Sequence, residues 1–317
     1  MTIFYFIMQN TMFFMIPLMI VALGGLFSEK SGVINIALEG KMIFGAFTGV
    51  LTIATFQDRL PGLPILLIAI LVATVSGVLV SLLHAYASIN LGANQVISGI
   101  AINMFAPAFA IYVSRLVFGT QNIGFTNQFR IDSVPLLGEI PFVGPMFFQN
   151  TYLTTYLGFL ILAMSTFVLY KTKFGLRLRA CGEHPGAADS VGISVAKMRY
   201  AGVILSGALA GLGGLVFIIP ISVAFTGSVS GYGFLALAVL IFGGWNPIKI
   251  VFAAFFFGLM QTVAASHSAI PFLSALNIPG HFYRMIPYVA TLVLLAFTSK
   301  KTIAPKALGE VYDKGKR

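Results

Sequence analysis

The sequence predicts an all-α integral membrane protein, a polytopic helical bundle of nine or ten spans forming one transmembrane domain over 1–317. Three observations lead there. The residues AVILMFWYC make up 58% of the chain and DEKR only 9%, whereas a soluble domain carries about 25% charge because its surface must face water. The mean hydropathy is +0.95. Runs such as 65–83 and 152–170 are apolar on every face, while barrel strands alternate apolar and polar over about ten residues. At ~20 apolar residues per helix plus a connection, the length holds about eight to eleven spans.

The first span reads as 12–27. It is expected to be retained, because 1–10 has neither a basic lead-in nor a clear cleavage site. The spans that follow read as 36–56, 63–83, 95–117, 152–170, 201–220, 232–244, 249–267 and 284–299. Loop 171–199 sets Lys171, Lys173, Arg177, Arg179, Lys197 and Arg199 against Glu183 and Asp189. The tail 300–317 sets Lys300, Lys301, Lys306, Lys314, Lys316 and Arg317 against Glu310 and Asp313. Both are expected to be cytoplasmic under the positive-inside rule. Alternation then puts 28–41, 84–94 and 245–249 on that side. It leaves 57–62, 118–151, 221–231, 268–283 and the N-terminus outside. In 118–151, Pro135, Pro141 and Pro145 prevent a continuous helix. That segment reads either as a cap that meets a soluble partner or as a solvated loop.

Two spans are broken. Around Asn35, Glu39 and Lys41 polar residues interrupt an apolar stretch, and the clean part, 42–56, covers only about 22 Å. In 227–233, three glycines and two serines precede 234–242, which is apolar for about 14 Å, roughly half a bilayer. Helix breaks at membrane depth persist only where the freed backbone is buried in protein or lines a cavity. The two regions align without gaps at an offset of 199, placing Ser31, Gly32, Ala37 and Leu38 on Ser230, Gly231, Ala236 and Leu237. This points to an internal repeat around a central pathway.

The candidate pathway residues are Asn35, Glu39, Asn94, Gln95, Asn103, Ser230 and Tyr232. An intramembrane carboxylate such as Glu39 is a functional candidate. The competing expectation, which the crowding of Glu29, Lys30 and Lys41 favours, is a carboxylate at the cytoplasmic end that is hydrated or paired with a base. The Asn and Gln residues either line a polar path or tie helices together by hydrogen bonds. Gly207, Gly211 and Gly214 read as close-packing surfaces.

Enzymatic chemistry finds no support. There is no GxxxxGK[ST] phosphate loop, so ATP would have to be bound elsewhere. The histidines His84, His184, His267 and His281 lack metal-ligand spacing and read as interface residues. The single Cys181 excludes an internal disulfide and a multi-thiolate metal site. No cofactor or metal is expected. The net charge of +10 sits in the loops that set topology, so nucleic acid is not an expected partner.

Four stretches in order carry a family resemblance. They are 31–45 (SGVINIALEGKMIFG), 91–103 (LGANQVISGIAIN), 174–193 (FGLRLRACGEHPGAADSVGI) and 231–247 (GYGFLALAVLIFGGWNP). Together they resemble the bacterial permease family that serves ribose, galactose, branched-chain amino-acid and nucleoside importers. The likeness is greatest to the purine-nucleoside branch, whose receptors are basic membrane lipoproteins. The resemblance implies a type II ATP-binding-cassette (ABC) importer permease fold in the bacterial cytoplasmic membrane. It implies two permease subunits, paralogues or identical copies, with cytoplasmic ABC ATPase subunits and an extracytoplasmic substrate-binding lipoprotein. The implied cargo is a nucleoside. The alternatives are a simple sugar carried by the same class of importer, and a stand-alone secondary transporter using Glu39.

The resemblance also gives loop 171–199 a role. Pro185 can start a short helix, 186–191 can continue it and Gly192 can end it. Arg177, Arg179, Lys197 and Arg199 are expected to keep their charges in water at the membrane interface. By resemblance Gly182, Glu183, His184, Pro185, Gly186, Ala187, Ala188, Asp189, Ser190, Val191 and Gly192 form the element that couples to the ATPase. An ordinary basic loop is the alternative. Cys181 departs from the family pattern, where a small aliphatic residue is more usual.

Overall fold

In the computed structural model, which describes residues 2–276, 278–298 and 304–312, apolar helices pack around one large core. Among the described residues six helices combine crossing length with apolar composition: α1 (Thr2–Lys30), α3 (Leu63–Ala85, prolonged by a π turn, Tyr86–Asn90), α4 (Gln95–Phe118), α5 (Leu153–Lys171), α8 (Val195–Ile221) and α10 (Pro247–Ala265). Two more, α2 (Leu38–Phe56) and α12 (Gly280–Thr298), have 19 residues each. Between them lie α6 (Lys173–Glu183), α7 (Pro185–Ser190), α9 (Tyr232–Phe242) and α11 (Pro271–Ser274).

Three expectations are corrected. The first helix runs from Thr2 to Lys30, well beyond 12–27. The largely apolar 3–8 prolongs it at the start, and at the other end helix continues through Ser28, Glu29 and Lys30, so charge does not mark its boundary. The expected span 232–244 holds a helix of 11 residues, about 16 Å long, the half-bilayer length its sequence indicated, but the non-helical stretch before it, expected as an outer connection, supplies the rest of the crossing. The loop 171–199 contains a second helix, α6, whose Thr172 hydroxyl caps Gly175 N at 3.1 Å.

The connections gather at two ends as the charge pattern required. At the end that carries loop 171–199, the basic end, the Trp245 indole donates to Glu29 at 2.5 Å and the Tyr200 hydroxyl to Asn90 Oδ1 at 2.5 Å. At the far end Thr126 N reaches Gln57 Oε1 at 3.0 Å, Phe125 N reaches Val223 O at 3.0 Å, and Gln9 on α1 reaches Pro145 O at 2.6 Å. The long connection there is an ordered layer. Its strands β1 (Ile123–Gly124), β2 (Arg130–Ser133) and β3 (Gln149–Tyr152) make two small antiparallel pairs: β2 with β3, and β1 with β4 (Ala224–Phe225). Phe125 and Phe129 of this layer are buried in the core.

Helices rising from the basic end start on polar caps: Asn94 for α4, His184 for α7, Ser194 for α8 and Asn246 for α10. Each side chain accepts from backbone N–H groups that the first turn leaves free. Buried centrally, α8 packs on α1, α2 and α3 through glycines. A Cβ at Gly207 would collide with Ser81 and Gly77 O, at Gly211 with Ala73 O, and at Gly214 with Met42 O. These glycines are close-packing surfaces, as their spacing suggested.

Candidate functional site

Between α1 and α2 the chain does not cross as helix. Residues 31–37 run non-helically from the basic end into the bundle, starting at Gly32 in the left-handed region (φ +95°). Every polar group freed there needs a partner away from water. Partners come from α2, α3, α4 and α8. Ile34 N donates to Gln95 Oε1 at 2.7 Å, and Ile34 O lies 3.1 Å from His84 Nε2. Asn103 donates to Ile36 O at 2.9 Å and accepts from Gly40 N at 2.8 Å. Asn35 donates to Ser206 Oγ at 2.6 Å and accepts from the Lys41 ammonium at 2.8 Å. Gln95, Asn103 and Asn35 are therefore the tethers of a helix break. Replacing Asn103 with Leu orphans two buried groups, at ~1–3 kcal/mol each. The expected result is a thermal midpoint in detergent several degrees below wild type, and an unchanged midpoint would refute the tether.

The second break lies opposite. After β4 the chain is non-helical over 226–231, with Ser230 (φ +55°) and Gly231 (φ +80°) both left-handed. Here α9 begins, and it ends about 16 Å further on beside Trp245 at the basic end. Its N-terminus is thus near mid-bilayer, where its free N–H groups cannot meet water. Glu39 meets them. Its Oε1 accepts from Gly231 N at 2.9 Å and its Oε2 from Gly233 N at 2.6 Å. Glu39 is itself in the first turn of α2, so one carboxylate faces the positive ends of two helices. Only glycine fits at 233, because a Cβ there would collide with the Glu39 backbone.

This corrects the expected hydrated or base-paired Glu39. The side chain is 7% exposed, and none of the three neighbouring charges meets it. Residues two apart on a helix point to different sides, so Lys41 turns toward Asn35 while Glu39 turns toward α9. Glu29 is taken by Trp245.

Of the remaining candidates, Tyr232 is buried beside Glu39's partners, its ring centroid 3.9 Å from that of Phe217. Ser230 is exposed on the extended stretch. Asn94 is exposed and caps α4 through Val96 N and Ile97 N, apart from the clamp. The shared Ser-Gly turn of the two aligned regions adopts a left-handed glycine in both, but α2 starts six residues after Gly32 whereas α9 starts directly after Gly231.

Sequence reasoning missed Lys41, Ser206 and His84. Lys41 is fully buried with its ammonium on Asn35, and His84, read as an interface residue, is fully buried between Ser98 and Ile34. A lysine in an otherwise apolar helix was the available signal for the first. The others depend on where 31–37 lands.

At the basic end, α7 spans Pro185–Ser190 with His184 Nδ1 accepting from Ala187 N at 3.1 Å and Gly192 left-handed (φ +82°). Gly182 is buried against the Lys30 carbonyl. Ala188 is buried with Cys181 and Val195. Glu183, Gly186, Ala187, Ser190 and Val191 are exposed, and Asp189 is half-buried. Burial pushes the Cys181 thiol above its ordinary range. Arg199 departs from the expected place in water. It is 2% exposed, and its Nη1 donates to Glu310 O at 2.8 Å because the segment 304–312 folds over it.

Comparison with known proteins follows the same lines. Residues 7–296 match the family described as the branched-chain amino acid transport system permease component. The chain is 44% identical to the guanosine ABC transporter permease protein NupQ of Bacillus subtilis, over 98% of this chain and 97% of the relative. It is 41% identical to the nucleoside ABC transporter permease protein NupC of Lactococcus lactis, over 98% and 97%. The putative glucose ABC transporter permease protein TsgC13 of Haloferax volcanii is 28% identical over 94% of both chains. No solved structure matches. With a matched region that runs from the first helix into the last, two helix breaks held inside the bundle and relatives that align end to end, this chain belongs to the branched-chain amino acid transport system permease family of ABC transporters.

Proposed function

We propose that this chain is the permease subunit of an ATP-driven importer that carries nucleosides, purine nucleosides among them, across a bacterial cytoplasmic membrane. The observation that carries the reading is the crossing 222–242, extended in one half and helical in the other, locked at its middle by Glu39. It occurs in a chain 44% identical to a guanosine permease. A helix break at this depth suits a surface that substrate passes.

In this reading 1–317 works as one permease domain. The basic end faces the cytoplasm, and α7 seats in a cleft of a separate ATPase subunit that binds and hydrolyses the ATP. A second permease subunit completes the pathway, and a lipoprotein delivers the nucleoside to the far-end layer 118–151. The chain itself performs no catalysis and binds no cofactor. Closure of the ATPase pair pushes on 182–192, and the spans shift from outward- to inward-facing. A secondary transporter with Glu39 as its proton site is less well supported, because both carboxylate oxygens are already held by backbone N–H groups.

Uptake of labelled guanosine, ribose and glucose by proteoliposomes that hold this chain with its ATPase and lipoprotein tests the proposal. ATP-dependent guanosine uptake is expected. The glucose permease at 28% identity makes hexose the second reading, and glucose or ribose uptake without guanosine uptake would select the sugar class. ATP-independent uptake by the chain alone overturns the importer.

The docking of α7 is tested at Val191, which is 74% exposed beside Gly192. Val191→Asp puts a charge where an apolar contact with the ATPase is expected. Co-purified ATPase should fall about tenfold, a loss of ~1.4 kcal/mol, with the permease's own thermal midpoint unchanged. Full retention of the ATPase would remove Val191 from the contact.

A further inference from the structure

We propose that residues 304–312 form a strap that transmits motion from α7 to the helix break at 31–37. The inference rests on the importer reading above, which gives α7 a push to transmit.

The segment 304–312 lies across the basic end and joins pieces of chain that are otherwise far apart in sequence. Ala307 N donates to Gly182 O at 2.9 Å, three residues before α7 begins. Two residues on, Gly309 N donates to Gly32 O at 3.0 Å, at the mouth of the break. Arg199, at the start of α8, donates to Glu310 O at 2.8 Å. Tyr312 packs on the small cluster of Cys181, Ala188 and Val195 that seats α7. One strand of chain thus touches the α6–α7 junction, the α1–α2 break and the root of α8.

The fit is close. Ala307 is 3% exposed. Gly309 is left-handed (φ +83°), and a Cβ there would lie 2.7 Å from Ile34 Cδ1. On the other side Gly32 is also left-handed (φ +95°), with a Cβ placed 3.2 Å from Arg199 Nη2 and 3.3 Å from Ala307 O. Glycine is needed at both positions, for backbone conformation and for space. The strap thus bears directly on Ile34, whose N–H and carbonyl are held by Gln95 and His84. Five residues further along the chain is Glu39, which holds α9. A terminal segment that merely finished the surface would not need two glycines locked against each other at this junction. The packing forms a continuous physical path, and such a path transmits motion only if its removal changes coupling.

The test uses the full complex of permease, ATPase and lipoprotein in proteoliposomes. Two variants release the strap: a chain ended after residue 303, and Gly309→Val in the full chain. Cys181 is the only cysteine, so its alkylation by a maleimide reports release at one site. Labelling is expected to be about tenfold faster in both variants, with ATPase co-purification and basal ATP turnover within about twofold of wild type. Uptake per ATP hydrolysed should fall tenfold or more. If Cys181 labels faster but uptake per ATP is unchanged, the strap transmits nothing and the proposal fails. Unchanged labelling with unchanged uptake in Gly309→Val removes the close fit on which it stands. If the shortened chain does not assemble, Gly309→Val decides, and failure of both to assemble makes the segment a folding element and overturns the proposal. Absence of ATP-driven uptake by the wild-type complex instead overturns the importer reading, and the strap's role with it.

Discussion

Replacing Glu39 with Ala is expected to lower ATP-driven uptake about a hundredfold. The carboxylate holds two backbone N–H groups of the α9 N-terminus at 2.9 and 2.6 Å, in a site 7% exposed. Removing it leaves both donors buried without partners, at ~1–3 kcal/mol each. About 3 kcal/mol is two decades in the population of the clamped state, at ~1.4 kcal/mol per decade. Glu39→Gln keeps one oxygen acceptor and turns an amide N–H toward the second donor, so it should fall between wild type and Ala. Uptake and thermal midpoint, measured on the same preparations, separate the two ways of losing function. A loss of uptake with a midpoint shift of only a few degrees marks Glu39 as the clamp of a working element. Wild-type uptake in Glu39→Ala would show that the α9 N-terminus needs no fixed anion.

The second large effect is structural. Gly211 of α8 lies where a Cβ would strike the Ala73 carbonyl and come within 3.0 Å of Gly77 Cα on α3. Backbone atoms cannot move aside as a flexible side chain can. Overpacking of this kind costs about 3 kcal/mol or more, from a total that is only ~5–15 kcal/mol in globular proteins. Gly211→Val is therefore expected to prevent accumulation of folded permease, or to lower its midpoint by more than any other substitution proposed above. Gly124→Ala is the control. Nothing lies within 4 Å of a Cβ there, so its effect should stay within about 0.5 kcal/mol. Equal midpoints for the two variants would mean that α3 and α8 do not pack through these glycines.

Much of this molecule was legible along the chain. Seven of the nine expected spans correspond to helices of crossing length close to the expected bounds, because an apolar run of about 20 residues has few other stable states in lipid. The short helix 185–190 was legible from Pro185 and Gly192, whose backbone preferences are local. The breaks at Asn35 and Gly231 were legible as interruptions. The use of those breaks was not. Whether Glu39 faced water, a base or a helix end depended on Gly231 and Gly233, 192 and 194 residues away. The burial of Arg199 depended likewise on Glu310, 111 residues on. Neither pairing leaves a mark in composition or periodicity.

By itself the sequence determined that this protein lives in a membrane, where its helices run and which connections share an end. Those properties follow from transfer free energies and charge placement, which act residue by residue. Tertiary structure alone decided that Glu39, just past the first break, holds the α9 N-terminus at the second, and that 304–312 ties the α6–α7 junction to the first break. Each of these satisfies buried polar groups that water cannot reach. The partner for such a group is chosen by distance in space, which the order of residues does not specify.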